Sequence, residues 1–140
     1  MEKESSMRIL IDTNILFSAL LFPRSKPALA LLHTAQHHEI ILCDQNIAEL
    51  REILNRKAPK YLPAAESLLA EMAYELIPAV KHVEKLIRDV KDQPILNAAI
   101  IFGVDIILTG DKDFLSLKIE HPKCMTAAEF LAREEVIKDL

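Results

Sequence analysis

The sequence predicts an α/β fold: a single domain of three layers, α/β/α, with a mainly parallel sheet of four to five strands, Rossmann-like in outline. Three observations predict it. Short runs of continuous apolar residues, as in "RILID" (8–12) and "EIILCD" (39–44), end abruptly in polar residues, as strands covered on both faces do. Segments of helical periodicity lie between these runs, and strand alternating with helix favours parallel pairing. Finally, the 140 residues are 51% apolar and 27% charged, a balance that lets one domain bury roughly two-thirds of its unfolded surface.

In chain order, "RILID" is the first strand and leaves Asp12 at a carboxyl end. A helix follows over roughly 14–21, and "RSKPALALLHTAQHH" gives another, with Ser25 as N-cap and Pro27 in the first turn. "EIILCD" is the second strand. "DQNIAELREILNRK" is amphipathic: Asp44 caps it, Ile47, Leu50, Ile53 and Leu54 share a face, and Glu49 lies off that stripe toward the amino end. Pro59 and Pro63 break the chain, "AAESLLAEMAYEL" is helical again, and a short strand runs through "ELIPAV". "EKLIRDVKDQP" leads into "ILNAAIIFG", a helix opened by Asp92 and Pro94 and stopped by Gly103. "VDIILTGDKDF" reads as a strand ending at Thr109, a tight turn at Gly110 and a carboxylate immediately after it. "KCMT" is the last strand, and Thr126 with Glu129 forms a capping box for the last helix.

Composition excludes several functions. With two glycines in all, Gly103 and Gly110, no glycine-rich phosphate loop is available. A net charge of −4 argues against a broad basic face for duplex nucleic acid, although bound divalent cations reverse the sign of an acidic pocket. Cys43 and Cys124 form neither a disulfide framework nor a zinc pattern, and Cys43 within an apolar strand reads as core. The histidines (33, 37, 38, 82 and 121) lack metal-ligand spacing and read as surface or partly buried. The polar start, "MEKESSM", and the interruption of the next apolar run by Asp12 fit neither a signal peptide nor a membrane span, so a cytoplasmic protein is expected. The apolar excess leaves surface for a partner, with a homodimer as the expectation.

Parallel strands place their carboxyl ends on one rim, so Asp12 and Asp111 share it, and helix amino ends bring Asp44, Glu49 and Asp92 within reach. Charges about 4 Å apart repel by roughly 4 kcal/mol at an effective dielectric near 20, so convergent carboxylates need a cation. Oxygen-only ligands suit Mg²⁺ or Mn²⁺, which activate water and offset phosphodiester charge. Taken singly, the same residues have plainer readings: Asp92 as an N-cap, Glu49 as a solvated helical glutamate, Asp113 as the cap of a short turn. Asp12 is hardest to explain that way, because a carboxylate in apolar surroundings needs a partner.

The ordered set "IDTNIL" (Asp12, Asn14), "IAELREIL" (Glu49), "KDQPILNAAIIFG" (Asp92) and "DIILTGDKDFL" (Asp111, with Asp113) resembles the PIN-domain nucleases, the family that includes VapC-type toxins of toxin–antitoxin pairs. The resemblance runs from about residue 7 to 131. It implies one PIN-like domain over 1–140, with 1–6 as a flexible amino-terminal extension. It also implies an Mg²⁺- or Mn²⁺-dependent endoribonuclease with an RNA substrate and an antitoxin partner. Asp12, Glu49, Asp92 and Asp111 would be metal ligands and catalytic residues, with Asn14, Thr109 and Asp113 in support. Asp89 competes with Asp92 for the third position; Asp92 is preferred because it directly precedes the helix. Lys112, beside Asp111, is the preferred contact for RNA phosphate over Arg51, Lys57 and Lys60. The alternatives are a catalytically silent PIN-like module that binds RNA or protein and, from the Asp-x-Asn after the first strand, an aspartate-nucleophile phosphohydrolase.

Overall fold

Five short parallel strands form the centre of a computed structural model that describes residues 6–81 and 92–137. β1 (Arg8–Ile11) leads into α1 (Thr13–Leu21) and α2 (Lys26–His37), then β2 (Glu39–Cys43), α3 (Asp44–Lys57), a 3-10 turn at Pro59–Tyr61, α4 (Leu62–Glu71) and β3 (Glu75–Ile77). After the segment outside the described residues come α5 (Gln93–Ile101), β4 (Ile106–Leu108), α6 (Lys112–Leu115), β5 (Lys123–Met125) and α7 (Ala127–Arg133). The sheet order is β3-β2-β1-β4-β5 and each neighbouring pair is parallel. Asp89, His82 and most of the amino-terminal extension lie outside the described residues.

The continuous apolar runs have the expected cause. Ile9 and Ile11 face one core with Ile40, Leu42, Ile106 and Leu108, while Leu10, Ile41, Cys43 and Ile107 face the other. Successive strand side chains point to opposite faces, so a sheet covered on both sides must be apolar at every position. Leu16, Leu31, Leu50, Leu69 and Phe130, from α1, α2, α3, α4 and α7, cover the first face. Leu96 of α5 and Phe114 of α6 cover the second. This is the three-layer α/β/α arrangement expected from the sequence, with five strands.

Several boundaries differ from the sequence reading, each for a local reason. Pro63 lies in the first turn of α4 rather than ending a break, since proline is tolerated there, where its missing N–H has no partner to lose. The far end of the same predicted helix is drawn into β3, where Glu75, Leu76 and Ile77 register against Ile41, Leu42 and Cys43. Asp44 does not cap α3: it is the first helical residue, Cys43 occupies the cap position without a side-chain bond, and Asp44 Oδ1 accepts the N–H of Ala79 at 2.9 Å. Its carboxylate thus holds the loop after β3. Asp92 precedes α5 and accepts the N–H groups of Ile95 and Leu96 through its backbone carbonyl, but its side chain makes no capping hydrogen bond. Gly103 ends α5 at φ +69°, a left-handed conformation in which glycine lacks the Cβ penalty.

Histidines close the edge opposite the carboxyl rim. His38 Nδ1 accepts the backbone N–H of Met7 at 3.0 Å, so its proton sits on Nε2 and is donated to Glu134 at 2.7 Å. His33 Nε2 meets the same carboxylate oxygen at 2.9 Å. Burial raises the Glu134 pKa, but the hydrogen bonds from His38 and His33 outweigh it and hold the carboxyl below the usual glutamate range.

Candidate active site

The chain builds β2 and β3 on one side of β1 and returns to place β4 and β5 on the other, so strand order reverses between β1 and β4. Past their carboxyl ends the two strands feed opposite faces: Leu16 of α1 packs in one core and Phe114 of α6 in the other. A crevice opens where the connections diverge. It holds a cleft of about 300 Å³ lined by Asp12, Glu49, Asp92 and Asp111 among others. Four acids remote in sequence are therefore brought together.

Asp12 is the most constrained of them, at 4% exposure. Its Oδ1 accepts the N–H of Thr13 at 2.9 Å and Asn46 Nδ2 at 3.0 Å. Its Oδ2 accepts Thr109 Oγ1 at 2.7 Å and Asn14 Nδ2 at 3.3 Å. Burial pushes the carboxyl above the ordinary aspartate range; the bonds from Thr109 and Thr13 pull it down, and the charges of Glu49 and Asp111 add to the rise. Hydrogen bonds alone do not settle this carboxylate.

Asn14 and Thr109 knit the strand ends. Asn14 Oδ1 accepts Gly110 N at 3.0 Å while its amide reaches Asp12, and Thr109 Oγ1 accepts Asp111 N at 3.0 Å while donating to Asp12. The Asp111 carboxylate accepts Asp113 N at 2.9 Å and caps the short α6. Oxygens of Asp92, Asp111 and Asp113 all lie within 4.8 Å of one another. Lys112 is exposed next to Asp111 and is not part of the cleft lining.

Asn46 carries no role in the sequence reading, yet it is fully buried. One amide hydrogen goes to Asp12 and the other to Thr13 Oγ1 at 2.9 Å, and that hydroxyl donates to Glu49 Oε1 at 2.9 Å. Gln45 Nε2 holds the other Glu49 oxygen at 3.1 Å. A polar chain therefore joins two of the acids through Asn46 and Thr13. Asn46 Oδ1 is buried and has no hydrogen-bond partner among the described residues. Rotating the amide would turn that oxygen toward the Asp12 carboxylate and sacrifice two bonds, so the orphaned acceptor is the cheaper arrangement. The available signal was spacing: Asn46 stands at i−4 and i−8 from Leu50 and Leu54, a polar residue on the buried stripe of α3.

These donors suit a hard cation. Mg²⁺ or Mn²⁺, with oxygens at about 2.1 Å, would need ligands no more than about 4.2 Å apart across the ion, and oxygens of Asp92, Asp111 and Asp113 all lie within 4.8 Å of one another. Burial first, and then the charges of Glu49 and Asp111, disfavour the ionised Asp12 carboxylate, a cost that a bound cation would offset. A second set among the described residues, His33, His38 and Glu134, also lies within 4.8 Å. Metal binding there conflicts with the proton that His38 carries on Nε2. Cys43 is no nucleophile, since burial pushes its thiol up to about 11.

Comparison with known proteins bears on the fold and the family. The structure is similar to a crystal structure of VapBC2 from Rickettsia felis bound to a DNA fragment from their promoter. The TM-score is 0.62 at 15% identity, over 86% of this chain and 98% of that one. Among curated proteins no relative matches. A family profile described as PIN domain matches residues 8–113, a span that contains Asp12, Glu49, Asp92 and Asp111. With more than half of its length matched, the chain belongs to the PIN domain family of nucleases.

Proposed function

We propose that this protein is a metal-dependent endoribonuclease that hydrolyses RNA phosphodiester bonds and serves as the toxin of a toxin–antitoxin pair. The observation that carries the reading is the convergence of Asp12, Glu49, Asp92 and Asp111 on one cleft at the reversal of strand order. Asp12, Glu49, Asp92 and Asp111, with Asp113 in support, would hold Mg²⁺ or Mn²⁺. Such an ion, when bound, supplies a polarised water and neutralises phosphate charge during in-line attack. Thr109 and Asn14 fix the direction of the Asp12 carboxylate, while Thr13 and Gln45 fix Glu49. This leaves the acids little rotation to lose when substrate binds.

Incubation with single-stranded RNA and Mn²⁺ should produce internal cuts, absent with chelator and absent in Glu49→Gln. RNA bound but intact would instead identify a silent binding module. Phosphate released from small phosphomonoesters would identify an aspartate-nucleophile phosphohydrolase.

The partner part of the proposal rests on surface chemistry and on the VapBC complex among similar structures. An apolar groove between α1, α2 and α4, lined by Leu20, Leu31, Leu32, Leu68 and Met72, suits the apolar face of an antitoxin helix. Ile100 and Ile101, adjacent on α5, are exposed, and we assign them to a homodimer. Sedimentation should give a dimer at micromolar concentration, and a monomer alone would reject that assignment. Among the described residues no single helix is long and apolar enough to cross a membrane. Both cysteines are free thiols, which suits the reducing cytoplasm in which we place the protein.

A further inference from the structure

The cleft does not end at the acids. Thr13 and Glu49 are joined across α1 and α3, and one turn further along each helix Phe17 and Ile53 line the same cleft. Among the described residues, Arg56 is the basic residue of the lining. Glu49, Glu52, Ile53 and Arg56 are spaced i, i+3, i+4 and i+7, so they share one face of α3. The α3 axis advances about 10 Å from residue 49 to residue 56.

From this arrangement we infer that Phe17 and Arg56 form a nucleotide subsite beside the acids, stacking one base and pairing one phosphate of a single-stranded RNA. The inference rests on the nuclease reading above. Three features support it. A strand whose scissile phosphate sits over the acids must run past negative charge, and Arg56 offers a counter-charge for a neighbouring phosphate. Its guanidinium already holds a carboxylate in fork geometry, Nε to Glu52 Oε2 at 3.1 Å and Nη2 to Oε1 at 3.3 Å. An arginine fork accepts phosphate oxygens in the same way, and an exposed pair within one helix contributes too little to resist that exchange. Phe17 is half-buried, anchored against the core while lining the cleft, as a stacking platform for an unpaired base must be.

The test is steady-state cleavage of a single-stranded oligoribonucleotide with Mn²⁺ across a salt series, with Mn²⁺ affinity of each protein from calorimetry. Arg56→Ala should raise KM about tenfold with kcat held within about twofold. It should also flatten the slope of log KM against log salt by about 0.7, the loss of one phosphate contact on a single strand. Arg56→Lys should restore most of the slope, and Phe17→Ala should raise KM about tenfold with the slope intact. Mn²⁺ affinity should be the same in all three variants. Unchanged KM and salt slope in Arg56→Ala, with the wild type cutting RNA, would overturn the subsite and leave the nuclease reading standing. A wild type that cuts no RNA would overturn both.

Discussion

Asp12→Asn is expected to lower Mn²⁺-dependent RNA cleavage by about 10³ while leaving the fold intact. The scale is that of removing one group aimed at the reacting charge, and it exceeds the 10–100-fold typical of groups that only support a metal ligand. The stability side of the prediction follows from the direction of the pKa. Asp12 has a folded value raised above its unfolded one by burial, so its contribution to stability is present below the unfolded value and is lost as pH rises through the folded one. Asparagine of the same shape removes the buried acid but replaces one acceptor oxygen with an NH₂ group that faces donors on either side. Metal-free Asp12→Asn should lose the share of the pH dependence of stability that Asp12 supplies, as thermal melts across a pH series would read. Mn²⁺ at a hundredfold excess over its Kd contributes about 2.7 kcal/mol, so it should raise the wild-type melting temperature by several degrees and leave the variant unmoved. Apparent Mn²⁺ affinity of the wild type should begin to fall on acidification at a pH above the ordinary aspartate range, because the ion then competes with a proton on Asp12. Equal Mn²⁺ stabilisation of both proteins in thermal melts would remove Asp12 from the metal site.

Asn46 should have the second-largest effect, and its two substitutions should behave differently. Asn46→Ala removes two donated bonds and leaves Asp12 Oδ1 with the Thr13 N–H, so about 1–3 kcal/mol of stability should be lost. Mn²⁺ affinity should fall about 10- to 100-fold, as for other groups that orient a metal ligand. Asn46→Asp keeps the shape but sets a second carboxylate where the amide touches Asp12. Two charges about 4 Å apart repel by roughly 4 kcal/mol at an effective dielectric of 20. The aspartate variant should therefore be less stable than the alanine variant without metal and should recover more when Mn²⁺ is added. Denaturant melts with and without Mn²⁺ read this directly. If metal-free Asn46→Asp melted like the wild type, the bond to Asp12 would have no energetic weight.

Elements whose signal is local were legible in the chain. The strands of the central sheet could be read because burial on both faces forces an unbroken apolar run, and Ser25 and Thr126 marked helix starts because a cap bonds within its own turn. Boundaries that depend on a partner were not. The end of α4 moved because β2 recruits Glu75–Ile77, and Asp44, read as a cap near the rim, instead holds Ala79 N. Asp92 has the sequence of a cap and its side chain makes no capping bond, although it lines the cleft with the other acids.

The order of residues by itself determined that the sheet would be parallel, that Asp12 and Asp111 would stand at strand carboxyl ends, and that Glu49 and Asp92 would lie near helix amino ends. Tertiary structure alone decided which polar groups became part of the site. Asn46 is buried because α3 lies against α1, and Arg56 enters the cleft because its position on α3 continues the row that begins at Glu49. The physical reason is range: propensity, capping and periodicity act over a few residues, whereas burial, pKa and cleft lining depend on neighbours that are distant in the chain.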